Sequence, residues 1–206
     1  MTPGTPEIIR CPSCEYLQQR ETLRSGNTFG AKFYSDGKCE APMLPQFPHF
    51  VKCPECKSFF KIAPDVVVEK NQTRKPNIPF VSFLTTDEYL QAISSGLLNG
   101  NENDILSLRI ELWRTYNDAV RDGQNELAEK ELYEDNCRKI LSSATNEPND
   151  DEMCLMCAEM WRNIGEFDKS KALLNEIKSP DKYIKYISVI DSMCDVQNTL
   201  TVCVNL

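Results

Sequence analysis

The chain lacks long apolar runs. Nowhere in its 206 residues is there an uncharged stretch of the about 18 apolar positions that a membrane-spanning helix needs. The opening residues, Met-Thr-Pro-Gly-Thr-Pro-Glu, have neither a charged start nor an apolar stretch, so no secretion signal is read there and a cytoplasmic location is expected. Thiols stay reduced in such a compartment, which makes the 10 cysteines candidates for metal ligands and core fillers rather than disulfides. By the same reasoning the Asn71-Gln72-Thr73 glycosylation pattern is a coincidence. Histidine is scarcer still, and the single His49 leaves little for acid–base or open-site metal chemistry. Also missing are a phosphate-cradling glycine loop, a His-Glu-x-x-His helix and a Gly-x-Ser-x-Gly elbow, so no catalytic residues are assigned and the expectation is a protein that is not an enzyme.

What the chain does have is unevenly spread. Its net charge of −8 divides into +3 over residues 1–75, with 11 Lys+Arg against 8 Asp+Glu, and −11 over residues 76–206, with 12 against 23. Prolines crowd the stretch up to the same point (Pro42, Pro45, Pro48, Pro54, Pro64, Pro76 and Pro79), whereas only Pro148 and Pro180 lie beyond it. A boundary near Lys75-Pro76 is therefore expected, separating a small domain, 1–75, from a larger one, 76–206.

Two Cys-Pro-x-Cys pairs, Cys11-Pro12-Ser13-Cys14 and Cys53-Pro54-Glu55-Cys56, carry the most specific chemistry. Thiolates three positions apart on a tight turn can wrap one cation, and two such turns supply the four sulfurs of a structural Zn²⁺ site. Ligand type alone does not separate zinc from iron. A thiol redox pair would need a βαβ setting with the first Cys at a helix N-terminus, and no helical sequence follows the second pair. Unligated thiols also stay open at this stage, and Cys39 and His49 are spare candidates in the same region.

Residues 8–62 alternate short β-prone stretches with turn signals. Ile8-Ile9-Arg10 and Phe50-Val51-Lys52 are matching lead-ins to the two pairs, Ser35-Asp36-Gly37 is a hairpin turn between Ala31–Tyr34 and Lys38–Ala41, and Ser58–Ile62 is a closing strand. Glu15–Arg24 has some helical propensity. So small a unit needs a metal for much of its folding free energy, and Arg10, Lys52, Lys57 and Lys61 stand ready to offset the charge of four thiolates. The segment resembles the zinc ribbon family. That resemblance implies a three-stranded antiparallel sheet over 8–62 with Cys11, Cys14, Cys53 and Cys56 as the ligands. Where that family often has glycine after each knuckle, Glu15 and Lys57 stand here, so backbone strain is expected. The stretch Leu44–Cys56 also resembles the second half of rubredoxin, an iron protein with the same ligands.

Helical periodicity takes over at Thr85. Thr85-x-x-Glu88 is a capping box with Leu84 and Tyr89 as a staple, closed by Gly96 and Gly100. Further helices are expected over 104–121, 126–143, 152–164, 167–178 and 181–196, with a loop at Asn146–Asp151 and Pro180 in the last helix's first turn. Within 152–178, the residues Cys154, Cys157, Ala158, Trp161, Ser170 and Leu174, with Gly165 at the turn, resemble a tetratricopeptide-type hairpin. The resemblance makes the third pair, Cys154-Leu155-Met156-Cys157, a packing element; a second metal site is the alternative. Trp113 and Trp161 read as core, and the acidic run Glu126–Asp135 as a solvated face supported by Lys130–Glu134 pairing. The alternating tail Thr199–Leu206 either caps the last helix or adds a strand.

The expected class is therefore α+β: a small antiparallel β zinc ribbon followed by an all-α domain of tetratricopeptide-like hairpins. The preferred function is a non-enzymatic adaptor that holds one structural zinc and recognises a protein partner. Nucleic-acid binding is the alternative, with Arg20, Arg24, Lys32, Lys38 and Lys52 on phosphates and Phe29, Phe33, Tyr34 and Phe50 stacking on bases. An iron-bearing electron carrier or redox sensor is the third reading.

Overall fold

The computed structural model describes residues 1–70, 73–96, 101–123, 129–144 and 150–204. Among the described residues the expected α+β order is present, with short antiparallel strands preceding six helices. The strands are β1 (Thr2–Pro3), β2 (Glu7–Arg10), β3 (Leu17–Arg20), β4 (Leu23–Ser25), β5 (Lys32–Tyr34), β6 (Cys39–Glu40), β7 (Phe50–Lys52), β8 (Phe59–Lys61), β9 (Val67–Lys70) and, at the far end, β10 (Cys203–Val204). The helices are α1 (Thr86–Ser94), α2 (Glu102–Arg121), α3 (Lys130–Ala144), α4 (Asp151–Asn163), α5 (Phe167–Leu174) and α6 (Pro180–Asp195).

The chain forms two compact units that are interleaved in sequence: Met1–Ala31 with Glu40–Leu108, and Lys32–Cys39 with Arg109–Leu206. The division thus falls inside α2 and around the Ser35–Gly37 hairpin, not at the charge break near Lys75-Pro76. A single side chain explains why that break is no structural seam. Gln19, buried on β3, donates from Nε2 to the carbonyls of Lys75 (2.8 Å) and Ile78 (2.5 Å), and its Oε1 accepts from the Lys75 N–H. The backbone of Gln19 also bonds to Pro79 and Val81, so the proline-rich stretch is laid along β3.

In the first unit, β2 is the centre of a three-stranded antiparallel sheet in the order β3-β2-β9, and β7 and β8 form a separate hairpin. The sheet's third strand therefore comes from residues 67–70, beyond the 8–62 span that the zinc ribbon resemblance implied. Glu15–Arg24 contributes strands rather than a helix because Gln18 and Gln19 are buried and paired against Ile8 and Ile9. An apolar cluster of Ile9, Cys11, Val51, Cys53, Phe60, Ile62 and Val66 lies beneath. Burial of each large side chain there contributes roughly 1.5–3 kcal/mol. Helix α1 has the expected capping box: the Glu88 N–H donates to Thr85 Oγ1 and the Thr85 N–H to the Glu88 carboxylate. Gly96 takes φ 65° beyond its end, a left-handed conformation that glycine adopts at less cost than residues with a Cβ; Gly100 lies outside the described residues.

The second unit packs α4, α5 and α6 around Leu155, Ala158, Leu174, Ile177, Ile190 and Cys194. Helix α5 stops at Leu174, four residues short of expectation, because the N–H groups of Lys178 and Ser179 turn to the Asp151 carboxylate, both at 2.9 Å, and Pro180 then opens α6. The expected start of the third helix and most of the Asn146–Asp151 loop fall outside the described residues. Trp113 is fully buried; Trp161 is half-buried, with the Lys169 ammonium 4.5 Å from its ring centre.

The Ser35–Gly37 turn belongs to this helical unit. Asp36, 1% exposed, accepts from Asn117 (2.9 Å) and Arg121 (2.7 Å), and Ser35 donates to Glu159 at 2.6 Å. Glu159 and Arg162, both fully buried on α4, form an ion pair, and Arg162 also donates to the carbonyls of Asn198 and Leu200. That fixes the C-terminal tail, where β10 adds an edge strand to β5 in the sheet β10-β5-β6. The tail thus adds a strand rather than capping α6.

Candidate metal centre

Two backbone turns place the four cysteines, and they are copies of each other. In the first, the Glu15 N–H bonds to the Cys11 carbonyl (2.9 Å) and the Cys11 N–H to the Tyr16 carbonyl (2.9 Å). In the second, the Lys57 N–H bonds to the Cys53 carbonyl (3.0 Å) and the Cys53 N–H to the Ser58 carbonyl (2.8 Å). Closing each turn drives the residue after its second cysteine to a left-handed conformation, φ 62° at Glu15 and 63° at Lys57. The strain expected of non-glycine residues at these positions is therefore present. Strands β2 and β7 lead into the turns with Ile8, Ile9, Phe50 and Val51 buried, which anchors both from below.

The turns face each other so that the Sγ atoms of Cys11, Cys14, Cys53 and Cys56 all lie within 4.8 Å of one another. Cys11 and Cys56 approach to 3.7 Å, and Cys14 and Cys53 to 3.6 Å. A tetrahedral ion with metal–sulfur bonds of about 2.3 Å requires sulfur–sulfur edges of about 3.8 Å, so the donor set fits a four-coordinate thiophilic metal with little rearrangement. Cys11 and Cys53 are buried in the apolar cluster, while Cys14 and Cys56 sit at the exposed tips.

Desolvation is the largest influence on the buried Cys11 and Cys53 and acts to raise both thiols, whereas hydrogen-bond donors come first at the exposed Cys14 and Cys56. Backbone N–H groups favour the thiolates in matched fashion: Ser13 and Cys14 act on Cys11, Glu55 and Cys56 on Cys53, Tyr16 on Cys14, and Ser58 on Cys56. The Ser58 hydroxyl breaks the symmetry, lying 3.1 Å from Cys56 Sγ and 3.5 Å from Cys11 Sγ. That hydroxyl, together with the Ser58 N–H, brings the Cys56 thiol down to about 6. At Cys14 the Tyr16 N–H acts in the same direction, yet desolvation and the three neighbouring sulfurs push its thiol up to about 12. Four sulfurs this close hold protons among themselves until a cation replaces them, so metal binding must release protons and weaken as pH falls. Of the cations expected to offset the thiolate charge, Lys52 is paired with Glu88 and Lys61 with Asp104, while Arg10 lies 3.8 Å from Glu15 and Lys57 bonds to the Pro54 carbonyl.

The other candidates are placed elsewhere. His49 is exposed, with its carbonyl accepting from the Ile62 N–H, and neither it nor Cys39 belongs to the sulfur cluster. Cys154 and Cys157 lie along α4; Cys154 packs on the apolar cluster of α4–α6 and Cys157 is buried, with burial pushing its thiol up to about 12. Among the described residues they join no third ligand. The residues proposed for nucleic acid are divided between the two units. Arg20 is bonded to Glu7, Lys52 to Glu88 and Lys38 to Asp118, while Tyr34 and Phe50 are buried; Phe29, Arg24 and Lys32 are exposed. Sequence reasoning missed Ser58 at the site and the buried Glu159–Arg162 pair away from it. The equivalence of the two turns, which puts Ser58 where Tyr16 stands in the first, was the available signal for Ser58.

No family model, no curated protein and no solved structure matches the chain. Among the described residues, no helix is long and apolar enough to cross a membrane.

Proposed function

We propose that the protein holds one structural zinc ion on Cys11, Cys14, Cys53 and Cys56 in a zinc ribbon, and that it acts without catalysis as an adaptor recognising a protein partner. The observation that carries the metal assignment is that two matched turns bring four sulfurs within 4.8 Å of one another, with two pairs at 3.6 and 3.7 Å. A site closed by four protein thiolates leaves no position for a substrate, which favours a structural role over a catalytic one. Helices α4 and α5 pack against each other, and the small residues Ala158 and Ser170 on them are both 0% exposed, which supports the likeness to a tetratricopeptide hairpin. Between α2, α4 and α6 the helical unit also has a cleft of about 450 Å³ whose walls include Met153, Met156, Tyr183 and Tyr186, side chains suited to a peptide. Nucleic-acid binding is less well supported, since most of its candidate cations are paired with carboxylates and the residues do not belong to one unit.

Elemental analysis of protein purified without added metal tests the first half, with one zinc per chain expected. Iron with a red colour would replace zinc by an electron-transfer site, and no metal would remove the site altogether. The adaptor role is tested by affinity capture with the wild type and with Cys53→Ser, whose ribbon should not fold. Partners retained equally by both would argue that the ribbon is not the recognition element.

A further inference from the structure

The four sulfurs are not equivalent, and the differences are specific enough to assign reactivity. Cys11 and Cys53 are buried, at 1% and 0% exposure. Cys14 and Cys56 are the two that solvent reaches. When these sulfurs are thiolates the Ser58 hydroxyl must be the donor. Its one proton serves one sulfur, and the 3.1 Å contact to Cys56 is shorter than the 3.5 Å contact to Cys11. In the first turn the equivalent residue is Tyr16, whose ring packs on the apolar cluster below. Cys14 is thus the exposed thiolate that the Ser58 hydroxyl does not serve.

We infer that Cys14 is a modification site, the point at which soft electrophiles enter the metal centre, and that Ser58 protects Cys56 from the same attack. This rests on the reading that the four cysteines bind a metal as thiolates. A hydrogen bond to a thiolate withdraws charge from sulfur and lowers its nucleophilicity, and burial denies the approach path altogether. With a maleimide, the Cys14 sulfur lone pair forms the new S–C bond, the C=C π pair moves to the adjacent carbon, and that carbon takes a proton from water. The product is a neutral thioether. The centre loses one negative ligand, and the three remaining thiolates hold the ion less tightly. The arrangement therefore couples a single alkylation at an exposed tip to loss of the metal that supports the whole unit.

The test uses the full chain carrying one zinc, with substoichiometric N-ethylmaleimide as probe. Timed samples are quenched and denatured, labelling at each cysteine is read by peptide mass spectrometry, and released zinc is followed with a chromogenic chelator. Cys14 should label about fivefold to tenfold faster than Cys56, the factor that one additional hydrogen bond of ordinary net strength commands, and zinc release should track Cys14 labelling. Ser58→Ala should bring the Cys56 rate up toward that of Cys14 while leaving the Cys14 rate nearly unchanged. The exposed Cys203, outside the cluster, serves as the internal reference for an unligated thiol. Equal rates at Cys14 and Cys56 in the wild type, or faster labelling of Cys56, would overturn the inference while leaving a zinc-loaded protein, and hence the metal reading, intact. A chain that carries no metal when purified would overturn both.

Discussion

Lys57 occupies φ 63° and Glu15 φ 62°, a region that costs a residue with a Cβ about 1–2 kcal/mol relative to glycine. The turn geometry demands it, because the N–H of each residue must point back to the carbonyl of the first cysteine in its pair. Lys57→Gly should therefore stabilise the metal-loaded unit by about 1 kcal/mol, at the expense of one exposed lysine contact to the Pro54 carbonyl. Folding and metal binding are coupled, so competition with a chelator should show about fivefold tighter retention; unchanged or weaker retention would mean that the turn carries no strain. A second residue-scale expectation concerns Glu7, on the strand before the first turn. Burial opposes its ionisation, but Arg20 at 2.7 Å and Lys70 at 3.0 Å hold its carboxyl below the usual glutamate range. The folded pKa is the lower one, so the pairing is fully present above the unfolded value of about 4.3 and fades as pH falls through the folded value. Glu7→Gln should cost about 2 kcal/mol in urea unfolding at pH 7, and the difference from wild type should shrink below pH 4. A gap independent of pH would mean that the ion pairs are not its source.

At the scale of elements, α4 has one face that the sequence makes plain and one that it conceals. Its apolar face is legible in the spacing of Leu155, Ala158 and their neighbours, as is the turn at Gly165, φ 82°. The same local rules expose the capping box of α1, the two lead-in strands and the four cysteines, since each rests on residues a few positions apart. Glu159 and Arg162 follow no such rule. Charged residues three apart on a helix ordinarily read as a solvated pair. Only the hairpin at Ser35, some 124 positions away, and the tail at Asn198 and Leu200, 36 and 38 positions away, account for their burial. Long-range partners of this kind leave no periodic trace, and for the same reason the tail's choice of β5 as its neighbour was not legible. Arg162→Met would leave the Glu159 carboxylate buried without its cation and free two carbonyls of the tail. The expected cost is about 3–5 kcal/mol. Amide exchange should also quicken at Val202, whose N–H bonds to Ser35 Oγ. If Val202 keeps its protection in the folded variant, the pair does not anchor the tail.

For the whole molecule, the decisive fact is that the order of units along the chain and their compact partition differ. Charge and proline content suggested two consecutive domains that meet near residue 75, and a cut at that point looks harmless on composition alone. Instead the eight residues Lys32–Cys39, from between the two cysteine pairs, complete the helical unit. Without them Arg121, whose side chain is 2% exposed, keeps Asp118 but loses the fully buried Asp36 carboxylate, Glu159 loses the Ser35 hydroxyl, and β10 loses the strand it pairs with. A fragment of residues 76–206 should consequently be destabilised by several kcal/mol, as expected when a buried charge loses its partner. It should melt well below the helical transition of the full chain when followed by circular dichroism at 222 nm, or show no cooperative transition. Adding a synthetic peptide of residues 30–41 should raise that melting temperature in proportion to the logarithm of its concentration once binding is near saturation, because a ligand that binds only the folded state stabilises it by mass action. The same peptide carrying Asp36→Ala should have much less effect, since it cannot pair with Arg121 or Asn117. A fragment 76–206 that melts with the full chain, and ignores the peptide, would show that the hairpin is an ornament of the helical unit rather than part of its core.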